Sequence, residues 1–362
     1  MSILFTPIGI GPVTVRNRFV RSATHDYMAD DEGNVTPAQL ELFGRLAEGE
    51  VGLIITGHAY VQPSGKASPR QMGVSDDRFI AGLSRIAAAV HRFPSRVFLQ
   101  IAHAGRQTKE RLCGCVPVSP SAVYDPVSKV MPRELSGDEI RALIADFASA
   151  AVRAKQAGFD GVQLHAAHGY LLSSFLSPHT NRRADEWGGP LVNRARALVA
   201  ALRGIKAACG RAFPVVVKLN STDFLQGGLS LDDAVRVARL LEADGIDGIE
   251  VSGGTAEAGR GSVWAGLRSE DEEGYFVDNA ARIKRAVQVP VFGLGGIRTL
   301  AVAERIVREG RADLVSLSRP LIRDPFLVKH WREGMTAKSE CISCNKCFNP
   351  HGIRCAELAK KS

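Results

Sequence analysis

The feature that most constrains this chain is an eightfold alternation. A short apolar, β-branched run is followed by an amphipathic helical stretch, again and again, from near residue 19 to near residue 331. The runs are Phe19–Ala23, Val51–Thr56, Arg96–Ala102, Phe159–His165, Pro214–Leu219, Ile246–Ser252, Pro290–Leu294 and Asp313–Leu317. Helices are expected after them over Pro37–Gly49, Asp77–Arg92, Asp138–Gln156, Leu191–Cys209, Leu231–Ala243, Phe276–Val287, Leu300–Glu309 and Asp324–Trp331. Such alternation implies a parallel sheet, because consecutive parallel strands need a crossover. The runs are almost continuously hydrophobic, as strands covered on both faces are. Eight units predict an α/β fold, a closed (β/α)8 TIM barrel spanning 1–336, with a short Cys-rich C-terminal extension over 337–362. The rival is an open doubly wound sheet. It lacks its signature here, since no strand–GxGxxG–helix unit is followed by an acidic residue about 20 positions on.

Composition narrows the function. The 362 residues are 45% hydrophobic and 23% charged, values of a globular protein rather than a disordered one. The net charge of +8 is spread along the chain, with only short basic pairs such as Arg182–Arg183. A nucleic-acid partner is therefore not expected, and the excess gives at most a mild pull on anionic ligands. No apolar run approaches the roughly 20 residues of a membrane helix. The cysteines number seven, an odd count, and Cys341, Cys344, Cys347 and Cys355 crowd the tail. This is not a disulfide framework, so a reducing, cytoplasmic setting is expected. A small-molecule substrate is the expected partner, and self-association into a homo-oligomer is left open.

In a barrel, active sites are built at the C-terminal ends of the strands. Unusual polar residues cluster there in this sequence: Thr24, Gln100 with His103, His165 with His168 and Tyr170, Lys218, Ser252–Gly254, Gly295–Gly296, and Ser318–Arg319. Each cluster alone has a plain structural explanation; one ligand spanning the barrel mouth explains them together. Gly295 and Gly296 after the seventh run and Ser318 and Arg319 after the eighth match the usual phosphate cradle, with Arg319 adding a charge-assisted contact. Two long insertions, Gly105–Pro132 and His168–Gly189, also follow strand ends.

The blocks Gln100-Ile101-Ala102-His103-Ala104-Gly105-Arg106, His165-Ala166-Ala167-His168-Gly169-Tyr170, Val217-Lys218-Leu219, Gly295-Gly296-Ile297 and Ser318-Arg319-Pro320-Leu321, in this order and spacing, resemble the old yellow enzyme family. That resemblance implies an FMN-dependent oxidoreductase that takes hydride from NAD(P)H in the same pocket that later receives the oxidant. It implies that Ser22, Ala23 and Thr24 line the flavin, with Thr24 near its O4. Gln100 would meet the pyrimidine edge, and Lys218 would place a cation beside N1. It further implies that His165 and His168 bind a substrate carbonyl and that Tyr170 is the proton donor, so the expected reaction is reduction of the C=C bond of an α,β-unsaturated carbonyl compound. A zinc site at the histidine pair is the weaker reading, since no third ligand accompanies it.

The tail carries Cys341, Cys344 and Cys347 at CxxCxxC spacing, with Cys355 as a fourth thiol. It resembles the iron–sulfur branch that includes trimethylamine dehydrogenase and dienoyl-CoA reductase, whose [4Fe–4S] ligands have a longer gap before the last Cys. A cluster, zinc or an unligated tail all remain open. Amine demethylation or enoyl-thioester reduction is the corresponding alternative function. A rival from another class is a phosphate-binding aldolase or isomerase with Lys218 as a Schiff-base nucleophile.

Overall fold

The computed structural model describes residues 2–259 and 261–358, so the last four residues of the expected extension lie outside the described residues. Eight strands close on themselves: β1 (Phe19–Arg21), β2 (Leu53–Ile55), β3 (Arg96–Ala102), β4 (Gly161–Ala166), β5 (Val215–Asn220), β6 (Gly248–Ser252), β7 (Val291–Gly293) and β8 (Leu314–Leu317). Each pairs in parallel with the next, and β8 returns to β1 with Val315 beside Phe19. This is the expected (β/α)8 barrel. Helices cover its outside; the longest, Gly137–Gln156, begins at a capping box in which Ser136 and Glu139 satisfy each other's backbone N–H groups.

Side chains of a strand alternate between the barrel interior and the helices. At the N-terminal end the interior is apolar. Val20, Leu53, Ile55, Phe98, Val216, Phe292 and Leu314 form one buried cluster with Ile10 and Val15. The last two belong to an N-terminal hairpin, Ile8–Ile10 against Val13–Val15, which plugs the barrel floor. The sequence did not announce it, because strands of three residues are too short to show a period. Where β4 passes Phe98 it carries Gly161, at which a Cβ would lie 2.8 Å from the Phe98 ring. Two residues further along the strands the interior turns polar, with Gln100, Gln163, Lys218 and Glu250 all buried. Register sets Gln100 beside Gln163, and Lys218 between His165 and Glu250.

Several expected elements differ in detail. The helix over Leu191–Cys209 divides into Leu191–Arg194 and Arg196–Cys209, and the last one, expected over Asp324–Trp331, is Leu327–Arg332, preceded by a further short helix, Arg319–Arg323. The insertion after β4 contains a helix, Leu171–Leu176, in which every residue is buried. With no polar face it has no amphipathic signature. The insertion after β3 holds a short helix, Glu110–Cys113, and a small parallel ladder of Val118–Ser119 with Arg133–Glu134.

The tail lies across the loops at the C-terminal end of the barrel. Ser339 N–H donates to Arg298 O, Gly266 N–H to Ser343 O, and Ile353 N–H to Asp26 O, at 2.8, 2.9 and 2.8 Å. No helix among the described residues is long and apolar enough to cross a membrane.

The apolar floor makes a stability prediction. Phe292→Ala should cost about 3–5 kcal/mol, because the hairpin and the facing strands cannot collapse into the space. Urea denaturation read by far-UV circular dichroism should show the midpoint falling accordingly, and an unchanged midpoint would mean the floor does not carry the barrel.

Candidate active site

A cavity of about 480 Å³ opens at the C-terminal ends of the strands. Ser22, Ala23 and Thr24 after β1, Gln100 on β3, His165, His168 and Tyr170 from β4 and its loop, Lys218 on β5, Gly295 and Gly296 after β7, and Ser318 and Arg319 after β8 all line it. Barrel closure therefore brings every rim residue singled out for the ligand into one space. Of the wider set of strand-end residues, Gly253 and Gly254 do not line it, and neither does His103. It is buried away from the cavity, with Nδ1 accepting Gly105 N–H and Nε2 against Ser64.

Lys218 sits at the bottom of this space. Its Nζ donates to Ser22 Oγ at 3.0 Å and Ala23 O at 3.2 Å, and stands 3.4 Å from Glu250 Oε2. Burial lowers the Lys218 pKa while Glu250 works to raise it. The same carboxylate accepts from Gln163 Nε2, and Gln163 Oε1 accepts from Gln100 Nε2 at 2.7 Å. This polarity is forced, because an ionised carboxylate can only accept. Gln163 and Glu250 escape a sequence search, since polar residues in mid-strand look like isolated core exceptions. The Thr24 hydroxyl donates to Ser22 O at 3.0 Å and lies 2.8 Å from Ser318 Oγ, linking the ends of β1 and β8.

At the other end, Gly295 and Gly296 adopt φ of +132° and +73°. A Cβ on Gly295 would lie 2.6 Å from Tyr275 N, and one on Gly296 2.2 Å from Leu267 Cδ1. Only glycine leaves this backbone open to a ligand. Arg319 is buried beside it. Its NH1 donates to Trp264 O at 2.8 Å, Ser343 O at 3.3 Å and Asn345 Oδ1 at 2.7 Å, while its NH2 faces the Gly296 position. Asn345 and Phe348 line the cavity as well, so the tail forms part of its wall.

The remaining wall is aromatic and basic in name but neutral in charge. The His165 ring centre is 5.2 Å from that of His168 and 4.8 Å from that of Tyr170. His165 Nδ1 accepts Ala167 N–H, so its proton is on Nε2. His168, held at φ +64°, places Nε2 2.8 Å from Ser252 Oγ. Burial, followed by the charge of Lys218, lowers His168 to about 3 and His58 to about 4; burial and its neighbours hold His165 well below the usual value. Burial raises the Tyr170 phenol, which therefore keeps its proton. Sequence reasoning missed His58 and its neighbour His25, both of which line the cavity. They belong to loops without a motif, and only convergence of the loops after β1 and β2 on the β4 loop brings them in.

Cys341, Cys344, Cys347 and Cys355 line a separate small cavity next to Arg319. Their thiols are free, and no group of three or more His, Cys, Asp or Glu among the described residues is arranged to hold a single metal ion. Cys113 and Cys115 lie elsewhere, in the β3 insertion.

Residues 3–338 match the model of the NADH:flavin oxidoreductase / NADH oxidase family. The chain is 40% identical over 346 residues to an NADH oxidase of Thermoanaerobacter brockii, covering 94% of this chain and 52% of that one. The structure superposes on 2-naphthoyl-CoA reductase in complex with 2-naphthoyl-CoA with a TM-score of 0.88 and 33% identity, covering 96% of this chain and 54% of that one. An old yellow enzyme homologue from Zymomonas mobilis gives 0.81 and 26%, covering 98% and 97%. The chain thus spans about half the length of the first two and nearly all of the third.

The neutral imidazoles make a pH prediction. In the unfolded chain they titrate near 6.5; in the fold, burial makes His25, His58, His103, His165 and His168 resist protonation. As pH falls below about 6.5 the unfolded state gains protons the folded state refuses, so stability is full above that pH and is lost towards 4 and 3. Asp26 and Asp146, raised by burial, act in the opposite sense but are two groups against five. The urea midpoint should therefore be lower at pH 5 than at pH 7.5, and equal midpoints would mean that the fold accommodates charged imidazoles.

Proposed function

Because the chain belongs to the NADH:flavin oxidoreductase / NADH oxidase family, the family of the old yellow enzymes, we propose that it reduces the C=C bond of an α,β-unsaturated carbonyl compound with electrons from a nicotinamide. Its cofactors are FMN and that nicotinamide reductant. The residues present fit FMN. The cavity lies within the range of about 300–1,000 Å³ usual for such sites, its glycine pair leaves a cradle that any Cβ would fill, and Ser316 adds a buried hydroxyl on the lining with no partner among the described residues. Gly295, Gly296, Ser318 and Arg319 would hold the phosphate, and Ser22, Ala23, Thr24, Gln100 and Lys218 the ring. When bound, FMN supplies the two-electron store between nicotinamide and acceptor.

The observation that carries the proposal is the wall of two neutral imidazoles and one protonated phenol facing a buried cation. A neutral imidazole N–H at His165 Nε2 donates to a carbonyl oxygen and strengthens its hold as negative charge develops there, and His168 adds a second contact. Tyr170 keeps a proton at Oη for the α-carbon. Lys218 Nζ is engaged by Ser22, Ala23 and Glu250, whereas a Schiff-base nucleophile needs a free amine. Enones and unsaturated thioesters share the polarised carbonyl this wall would bind, and the likeness to a naphthoyl-CoA reductase puts thioesters in the first screen. Tyr170→Phe should slow the oxidative half-reaction with a turned-over enone or enoyl thioester by about 10²–10⁴-fold, with much less effect on flavin reduction by nicotinamide. Stopped-flow measurement of the two half-reactions checks this, and equal slowing of both would give the ring a packing role.

A second reading concerns the tail. Four thiols, three of them in a CxxCxxC run, line one cavity, a ligand set that suits an iron–sulfur cluster. Cys341, Cys344, Cys347 and Cys355 would be its ligands, and a cluster there would supply one-electron exchange. Anaerobically purified protein should then contain iron and sulfide and absorb broadly at about 400–420 nm beyond the flavin bands. Cys347→Ser should lose both signals, and zinc in place of iron would overturn this reading.

A further inference from the structure

His58 follows β2 and lies between the strand and the cavity, buried, with both ring nitrogens occupied. On one side stands Gln71. Its Oε1 accepts the backbone N–H of Ala67 at 2.6 Å, and since a backbone N–H can only donate, this contact fixes which end of the amide is which. The amide nitrogen therefore faces His58, 2.7 Å from Nδ1 and 3.2 Å from its carbonyl oxygen. An amide NH₂ cannot accept, so His58 Nδ1 presents its lone pair and a neutral ring must carry its hydrogen on Nε2. The ring is neutral because burial and Lys218 hold it at about 4, and the adjacent ring of His25, 4.6 Å away, is held uncharged by burial too.

On the other side of His58, Nε2 is 3.4 Å from the Tyr170 hydroxyl, with the two rings edge to face at 86°. We propose that His58 is a positioning residue for proton delivery: its Nε2–H donates to Tyr170 Oη, so that the phenolic hydrogen is free to point into the cavity. The proposal rests on the reading of Tyr170 as the proton donor. With the opposite tautomer, the phenol would give its hydrogen to His58 and have none to deliver. The same contact acts after transfer. Once the phenol proton has gone to the substrate carbon, an N–H facing the phenolate oxygen becomes a charge-assisted bond, which offsets the burial that raises the phenol. The hydrogen on Nε2 stays where it is throughout, so His58 is neither consumed nor reprotonated.

The test uses the flavin-loaded protein and four variants: His58→Leu, His58→Gln, Tyr170→Phe and the double variant His58→Leu/Tyr170→Phe. His58→Gln keeps the polarity of the ring, an acceptor towards Gln71 and a donor towards Tyr170. The oxidative half-reaction should slow about tenfold or more in His58→Leu, the weight of a hydrogen bond to a charged group. It should stay within a few-fold of wild type in His58→Gln, and His58→Leu should cost nothing further once Tyr170 is Phe. An equal cost in both backgrounds, or a Gln variant as slow as the Leu variant, overturns the proposal. If Tyr170→Phe is as fast as wild type, the reading of Tyr170 as donor has failed instead. The hold of His58 on the phenol is then decided without turnover, by placing trifluorotyrosine at position 170 and titrating its absorbance. His58→Leu should raise that pKa and His58→Gln should not, and an unmoved pKa overturns the proposal by itself.

Discussion

The ion pair of Lys218 with Glu250, 3.4 Å apart inside a closed sheet, is the interaction around which the rest is arranged. Glu250 is fully buried and Lys218 nearly so. Two charges in that position lose several kcal/mol each of hydration, which attraction alone offsets only with good geometry and further hydrogen bonds. The barrel supplies those bonds from three other strands. Ser22 and Ala23 follow β1, Gln100 is on β3, Gln163 on β4, and the pair itself spans β5 and β6. One oxygen is left over, since Glu250 Oε1 has no partner among the described residues. The pair thus ties strand register to the placement of the Lys218 cation under the cavity, and the apolar floor beneath it keeps water from entering at the other end.

Charge then falls away across the cavity. Above Lys218 the histidines are neutral, for burial and for the cation's own repulsion, and Tyr170 is protonated. The polarity of the wall is set by hydrogen-bond direction instead of by ionisation. Backbone N–H groups decide two tautomers: Ala167 at His165, and Ala67 through Gln71 at His58. Such a wall offers N–H and O–H donors over a wide pH range without carrying net charge, which suits a reaction whose negative charge appears only in transit.

The tail belongs to this arrangement. Arg319 gives one nitrogen to Ser343 O and Asn345 Oδ1 in the Cys-rich segment and turns the other towards the glycine cradle. The glycine cradle and the thiol-lined cavity therefore share one guanidinium, and Arg323 Nη1 reaches Cys355 Sγ at 3.8 Å on the next turn.

Much of this was legible in the sequence because it is local. Continuous apolar runs and the near-four-residue helical period record eight strand–helix units, and the residues just past each strand end are the ones a barrel must gather on a single rim. That is why Thr24, Gln100, His165, His168, Tyr170, Lys218, the glycine pair and Arg319 could be named beforehand, and why the CxxCxxC run marked itself. Tertiary structure alone decided the rest. Gln163 and Glu250 have meaning only through register with Gln100 and Lys218, and His58 only through the meeting of the β2 and β4 loops over the barrel mouth. The buried helix Leu171–Leu176 shows no period because it has no solvent face. Spacing along a chain encodes which face a residue takes within its own element. Which elements face one another is fixed by closure of the sheet, a long-range condition that no local spacing records.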